Sequence, residues 1–99
     1  MSLPLRWTEQ ATNQLGAIAE YIGLSSPVYA EQVIERIVAR LRQAQAYPES
    51  GRRVPEAPTA DVRELIERPY RLFYRVRHES IEIIAIVHGR QDLASYLPG

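Results

Sequence analysis

The hydrophobic pattern of this 99-residue chain changes its period once, and that change restricts the folds it can adopt. From residue 11 to residue 44, apolar side chains recur every three to four residues, as on one face of an α-helix. From residue 62 to residue 87 they follow the alternation and short apolar runs of β-strands. Residues 48–60, between these regions, contain three prolines and no periodicity, so they are expected to form a loop. The pattern predicts an α+β fold in which a helical hairpin packs on a small, mostly antiparallel sheet.

Two helices are predicted in the first half. Thr8 is expected to cap the first helix, and Gly23 to end it in a left-handed conformation. Ser26 and Pro27 suit the cap and first position of the second helix, which should end before Pro48. Because about four residues link them, the two helices should form an antiparallel hairpin.

Four strands are predicted, over residues 3–7, 62–67, 70–77 and 81–87. If Glu79 and Ser80 form the last turn, Arg77 pairs with Glu82. One side of the sheet is then apolar and suited to packing under the helices: Leu72, Tyr74, Val76, Ile83, Ala85 and Val87. The other side, called the outer face below, carries Arg71, Phe73, Arg75, Arg77, Glu82, Ile84, Ile86 and His88. No helix remains to cover it, so we expect either a half-solvated surface shielded by arginine stems or a binding surface.

Composition narrows the class of protein. The length fits one domain, residues 1–99. With no cysteine and only two histidines, neither disulfides nor a zinc site is expected, and no cofactor is predicted. No apolar run approaches the roughly 20 residues of a membrane span, and the N-terminus lacks the features of a secretory signal. We therefore expect a cytoplasmic protein with no membrane partner.

The charges are unevenly distributed. All twelve basic residues are arginines, and twelve acidic residues balance them. Residues 52–77 carry seven arginines against four acids. Two of these arginines, Arg52 and Arg53, are expected to be a solvated pair, with contact to a target as the alternative. A neutral chain with one basic segment argues against a dedicated nucleic-acid binder. Direct DNA binding by this chain alone is not expected.

An ordered set of short motifs resembles the RelE/ParE superfamily of bacterial toxins over residues 3–93. The motifs are Pro48 with Gly51-Arg52, Arg63-Glu64-Leu65, Tyr70-Arg71, Tyr74-Arg75 and the ending His88, Arg90-Gln91-Asp92. The resemblance implies two helices packed on a small antiparallel sheet. It also implies a cognate antitoxin, whose tail wraps the toxin and blocks it within a hetero-oligomer.

The superfamily implies two mechanisms. RelE-like members are ribosome-dependent endoribonucleases, for which Arg63, Arg71 and Arg75 are candidates to hold phosphate. In that reading His88 is the candidate acid and Glu64 the candidate base. ParE-like members trap DNA gyrase by binding it. The absence of lysine, the neutral charge and the "HGRQDL" ending favour the ParE-like reading. A member that only binds its antitoxin is the third alternative.

For the ParE-like reading, the candidate residues for binding antitoxin or gyrase come from the outer face and the end of the last strand. They are Arg71, Phe73, Arg75, Arg77, Ile84, Ile86, His88, Arg90, Gln91 and Asp92. His88 is expected to pair near Arg71 and to organise the strand end, and Asp92 to accept hydrogen bonds from Arg90 or another arginine. The antitoxin is expected to contribute an amphipathic helix and an added strand.

Overall fold

Two helices lie against a single five-stranded sheet. The computed structural model describes residues 2–57, 59, 61–89, 91, 96 and 97. Its elements are β1 (Leu5–Trp7), α1 (Glu9–Gly23), α2 (Pro27–Ala46), β2 (Arg52–Arg53), β3 (Arg63–Glu67), β4 (Tyr70–Val76) and β5 (Ile81–His88). The strand order is β1-β5-β4-β3-β2; β1 pairs with β5 in parallel, and the other pairs are antiparallel. The predicted α+β architecture is confirmed. Within the described chain, neither helix combines the length and apolar character needed to cross a membrane.

Side-chain caps begin both helices where the sequence predicts them. The Thr8 hydroxyl accepts a hydrogen bond from the backbone N–H of Ala11, and Ser26 does the same for Tyr29, at 3.1 Å each. The prediction for Gly23 is wrong, because its φ is not positive and it lies within α1. Leu24 continues in the right-handed region and donates its N–H to the carbonyl of Glu20, so the turn needs no left-handed residue.

The principal core lies between the helices and the sheet. It consists of Ala11, Val33, Ile37, Leu41 and Ala44 from the helices and Leu65, Leu72, Tyr74, Ile81, Ile83 and Ile86 from the sheet. Burying each large aliphatic side chain of this set contributes about 1.5–3 kcal/mol. The helices therefore owe their position to this layer, as the 3.6-residue period indicates.

The turn between β4 and β5 differs from the prediction. Arg77 donates its N–H to the carbonyl of Ser80 at 2.8 Å, so His78 and Glu79 form the turn. Near the turn this shifts the pairing by two residues, which leaves each side chain on its predicted face. The expected ion pair between Arg77 and Glu82 still forms, at 3.3 Å.

A β-bulge changes the faces farther along β5. Tyr74 pairs with Ile83 but Phe73 pairs with Ala85, so Ile84 is the extra residue. Beyond the bulge, the observed pairing of β4 with β5 differs from the predicted pairing by one residue. Each β5 side chain from Ala85 onward therefore lies on the opposite side of the sheet from the predicted one. Ile86 therefore packs under the helices, whereas Ala85 and Val87 join the outer face.

Side chains of α1 satisfy the backbone groups around the bulge. Gln10 donates to the carbonyl of Ile84 at 2.9 Å, and the N–H of Ile86 donates to Oε1 of Gln14 at 2.8 Å. The Thr8 hydroxyl, besides capping α1, donates to the carbonyl of Ile83 at 2.8 Å. These contacts join α1 to β5 where the ladder is irregular.

The outer face is covered, contrary to prediction. Residues 54–57, 61 and 62, called the covering segment below, fold back from β2 over the sheet. Val54 and Val62 pack there with Phe73, Ile84, Ala85 and Val87, together with Ala57, Tyr96 and Leu97. Phe73 is fully buried, and Ile84 and Ile86 are buried as well. The expectation that these three are exposed is wrong. Val54 and Val62 form a second apolar layer with Phe73 and Ile84, whereas the bulge turns Ile86 to the helix side of the sheet.

Candidate functional site

An arginine-lined cleft opens where the β3–β4 turn meets the end of β5. It has a volume of about 660 Å³ and is lined by Arg52, Ile66, Arg68, Pro69, Tyr70, Arg71, His88 and Gly89. The Arg68–Pro69 peptide bond is cis. Gly89 donates its N–H to the carbonyl of Pro69 at 2.8 Å, which joins the two chain segments at the cleft. The polar residues after the apolar run of β5 therefore begin at this cleft.

Arg71 is the most constrained cation of the cleft. Its Nε donates to Oε2 of Glu64 at 2.6 Å, while Nη1 and Nη2 donate to the two carboxylate oxygens of Glu56 at 2.7 and 3.0 Å. Its guanidinium also lies over the ring of Phe73, with 5.2 Å between Cζ and the ring centroid. The hydrogen bonds to Glu56 and Glu64 raise the pKa of Arg71 above its ordinary value. Its orientation is fixed from three sides.

Glu64 is a buried carboxylate held between two arginines. It is 1% exposed, and it accepts hydrogen bonds from Nε of Arg52 at 2.5 Å and from Nε of Arg71. A buried charge is tolerated when it is paired and hydrogen-bonded in this way. Arg52 and Arg53 are not simply solvated as expected, because Arg52 forms this ion pair. Glu64 neutralises guanidinium groups and has no access to a substrate.

Glu56 belongs to the covering segment and closes the network from outside. Its side chain is 51% exposed, whereas that of Arg71 is 13% exposed. The hydrogen bond from Arg71 lowers the pKa of Glu56 to about 2. Glu56 is therefore ionised at neutral pH and binds the outer edge of Arg71.

His88 lies on the helix side of the sheet. Its strand partner is Tyr70 rather than Arg71, and the two rings meet edge to face with centroids 6.0 Å apart. The expected pairing of His88 with Arg71 is wrong because of the bulge. The backbone N–H of His88 donates to Oε1 of Gln91 at 2.7 Å. Its side chain borders both the cleft and a pocket against α1 that includes Gln14.

Two further predicted arginines, Arg63 and Arg75, bind neighbouring loops. Arg63 donates to the carbonyl of Gly51 at 2.8 Å, and Arg75 donates to the carbonyl of Asp61 at 3.2 Å. Of the five residues of the nuclease reading, the structure joins Glu64 to Arg71. It places Arg63 opposite Tyr74, whose side chain faces the helices, and His88 also on that side. These five residues do not surround one reacting group.

Two predicted binding residues, Arg90 and Asp92, lie outside the described residues. Sequence reasoning missed Glu56 and Arg68 and misread Arg52. A usable signal was present in the sequence. Val54 and Val62 flank Glu56 and Asp61 in a proline-containing stretch, which indicates a loop that folds onto the sheet and carries carboxylates to its arginines.

Comparison with known proteins agrees with this architecture. The family model described as "ParE toxin of type II toxin-antitoxin system, parDE" matches residues 5–93. Toxin RelE2 of Caulobacter vibrioides is 36% identical over 84 residues, which cover 84% of this chain and 91% of that protein. A chain of the solved "Chromosomal ParDE TA system from P. aeruginosa" superposes with a TM-score of 0.75 at 29% identity, covering 88% of this chain and 96% of that one. This chain therefore belongs to the ParE toxin family of the RelE/ParE superfamily and is the toxin of a type II toxin–antitoxin system.

Proposed function

We propose that this toxin poisons DNA gyrase by binding to it and does not cut RNA. The observation that carries the proposal is the state of Glu64, a fully buried carboxylate held by Arg52 and Arg71. RNA cleavage by 2′-hydroxyl attack needs a base, an acid and cations around one phosphate. Here the candidate base cannot reach a hydroxyl, and His88, the candidate acid, projects from the helix side of the sheet.

Charge supports the same proposal. A protein that works against the phosphates of the ribosomal A site gains affinity from many cations. This chain has a formal net charge of zero and no lysine. Several of its arginines are already engaged with carboxylates or backbone carbonyls, among them Arg63, Arg71 and Arg75.

The rim of the cleft offers a surface suited to a protein partner. Arg68 and Pro69 are exposed, and Ile66 beside them is 37% exposed. Protein interfaces favour such a mixture of arginine and apolar groups. We assign partner contacts to this rim and to Arg77 and Gln91. Phe73 instead lies beneath the Arg71 guanidinium, and Ile84 and Ile86 are buried core residues.

The antitoxin is proposed to neutralise the toxin by covering this end of the sheet, in the cytoplasm where gyrase acts. A pocket of about 310 Å³ between α1 and the end of β5, bordered by Ile18, Tyr21 and Tyr70, suits an apolar side chain of an antitoxin helix. Among the described residues, β1 and β2 form the edges of the sheet, and we assign the antitoxin's added strand to one of these edges. Operator DNA is then bound by the antitoxin, because the toxin is neutral.

The second candidate function is ribosome-dependent mRNA cleavage. The name of the Caulobacter relative, Toxin RelE2, and the combination of three arginines with a histidine around one cleft favour it. In this function the cleft binds the phosphate backbone, and His88 is the acid. A toxin fold that only binds its antitoxin is the remaining alternative.

Controlled expression in bacteria without antitoxin tests the proposal. We expect filamentous growth and gyrase-dependent DNA breaks. Rapid translation arrest with cut messages would instead establish the nuclease, and unimpaired growth the inactive alternative.

Charge reversal at the cleft supplies the matched comparison. Arg68→Glu should reduce toxicity at least about tenfold, since an anchoring arginine at an interface contributes roughly 2 kcal/mol or more. Arg42→Glu makes the same change on the exposed surface of α2 and should leave toxicity unchanged.

A further inference from the structure

We propose that the outer edge of Arg71 is a docking subsite for a carboxylate of a partner protein, and that Glu56 fills this subsite in the free toxin. The inference rests on the proposed function, because it takes the partner of the cleft to be a protein. The inference adds two points to the proposed function: the partner's contact group is a carboxylate, and Glu56 of the toxin competes with it for Arg71.

The two carboxylates that bind Arg71 differ in how readily each can leave. Glu64 belongs to β3, is buried and is also bound by Arg52. Glu56 belongs to the covering segment, which has no regular secondary structure at this point, and its side chain is half exposed. Glu64 is thus a fixed support, whereas Glu56 meets solvent at the surface where a partner arrives.

The exchange preserves the hydrogen bonds of Arg71. Glu56 accepts from Nη1 and Nη2 in a two-bond, fork-like arrangement. A carboxylate from outside can accept the same two bonds, and the guanidinium needs no reorientation because Glu64 and the Phe73 ring hold it. The exposed ion pair of Glu56 contributes little net stability, so its replacement carries a small penalty.

The surroundings favour an acidic peptide over a nucleic acid. With Glu56 displaced, the described cleft retains Arg52, Arg68 and Arg71 against the buried Glu64, a formal charge of +2. Ile66, Pro69 and Tyr70 line the same cleft with apolar surface. This combination suits one or two carboxylates next to an apolar side chain. A nucleic-acid strand would bring more phosphates than these cations neutralise.

The test uses the full chain and a defined peptide. Wild-type toxin, Glu56→Gln and Glu35→Gln are titrated with acetyl-Glu-Leu-Glu-Leu-amide, with the corresponding glutamine peptide and with a short single-stranded RNA. Glu35 is exposed on α2, so its variant removes the same charge away from the cleft. The Nε–Hε resonance of Arg71 reports binding, and the amide spectrum of each variant verifies folding. Glu56→Ala repeats the change without an amide that could replace the carboxylate.

We expect both Glu56 variants to bind the glutamate peptide about fivefold more tightly than wild type, since a site that is occupied about four-fifths of the time loses apparent affinity by that factor. Glu35→Gln should behave as wild type, and the glutamine peptide should not shift the Arg71 resonance. Three results would each overturn the subsite. They are equal affinities of Glu56→Gln and Glu35→Gln for the glutamate peptide, an Arg71 resonance that does not shift when this peptide is added, and tighter binding of RNA than of the peptide. No gyrase is present, so failure here is distinct from failure of the proposed function.

Discussion

Gly51 has no side chain, and this allows the backbone of residues 48–51 to pack closely against Tyr74. Tyr74 is buried, accepts a hydrogen bond from the N–H of Gly51 at 2.9 Å and donates its hydroxyl to the carbonyl of Pro48 at 2.7 Å. A Cβ on Gly51 would lie 2.6 Å from the Tyr74 hydroxyl and 2.8 Å from the carbonyl oxygen of Glu64. Because the φ of Gly51 is not positive, the requirement for glycine is one of space.

Gly51→Ala should therefore destabilise the toxin by about 1–3 kcal/mol, the usual cost of overpacking. Urea unfolding measures the change. Gly16→Ala is the control, because nothing lies within 4 Å of a Cβ there and an alanine in the exposed part of α1 should stabilise by about 0.5–1 kcal/mol. Equal stabilities for the two variants would show that the 48–51 turn does not press on Tyr74.

The ion pair of Glu56 with Arg71 predicts a pH dependence. The pKa of Glu56 is about 2 in the folded chain against an ordinary value of 4.5. Its contribution to stability is thus complete above pH 4.5 and is lost as the pH falls towards 2. Because the side chain is half exposed, the loss should be about 1 kcal/mol at most. Wild type should lose more free energy of unfolding across this interval than Glu56→Gln; parallel losses would contradict the pairing.

At the scale of elements, the bulge in β5 explains where sequence reasoning on the sheet succeeded and where it failed. The alternation in β4 was sufficient to place Leu72 and Tyr74 under the helices. In β5 every residue from Ile83 to Val87 is apolar, so no alternation marks the extra residue at Ile84. The polar residues that signal the bulge are Gln10 and Gln14, which are distant in sequence and bind its backbone.

Gln14→Leu tests the junction between α1 and β5. The substitution keeps the size of the side chain but removes the acceptor of the Ile86 N–H, which should cost about 1–3 kcal/mol. Hydrogen exchange at the Ile86 amide should accelerate. Gln32→Leu on the exposed surface of α2 should change stability by less than about 0.5 kcal/mol. Unchanged exchange at Ile86 would mean that Gln14 does not hold the bulge.

The covering segment is the element that sequence reasoning interpreted least well. Residues 48–60 contain prolines and no periodicity and are expected to be only a loop, although Val54 among them is fully buried. Val62, which is predicted to begin the next strand, lies just before β3 and is almost fully buried beside Val54. Single apolar residues in a loop carry no period, so a pattern search does not assign them to a layer. Their burial removes the exposed apolar face on which the first interpretation of the binding surface depended.

For the whole molecule, the architecture could be predicted from the sequence because three kinds of signal agree. They are the helix caps, the change from a helical to a strand period in the apolar residues, and the short link between the two helices. The site did not follow, because it depends on contacts between Arg52, Glu56, Glu64 and Arg71, which are brought together by folding. The same motif set serves a toxin that binds a protein and a toxin that cuts RNA. Our proposal of gyrase poisoning over RNA cleavage rests on the burial of Glu64 and on the position of His88.

The most direct test of gyrase poisoning measures DNA cleavage by gyrase in the presence of the purified toxin. Toxin is incubated with DNA gyrase, ATP and supercoiled plasmid, the reaction is stopped with detergent and protease, and linear DNA is measured. We expect linear DNA to accumulate in proportion to the toxin and to disappear when cognate antitoxin is added first. Absence of linear DNA, together with cleavage of mRNA in the A site of programmed ribosomes by the same preparation, would contradict gyrase poisoning.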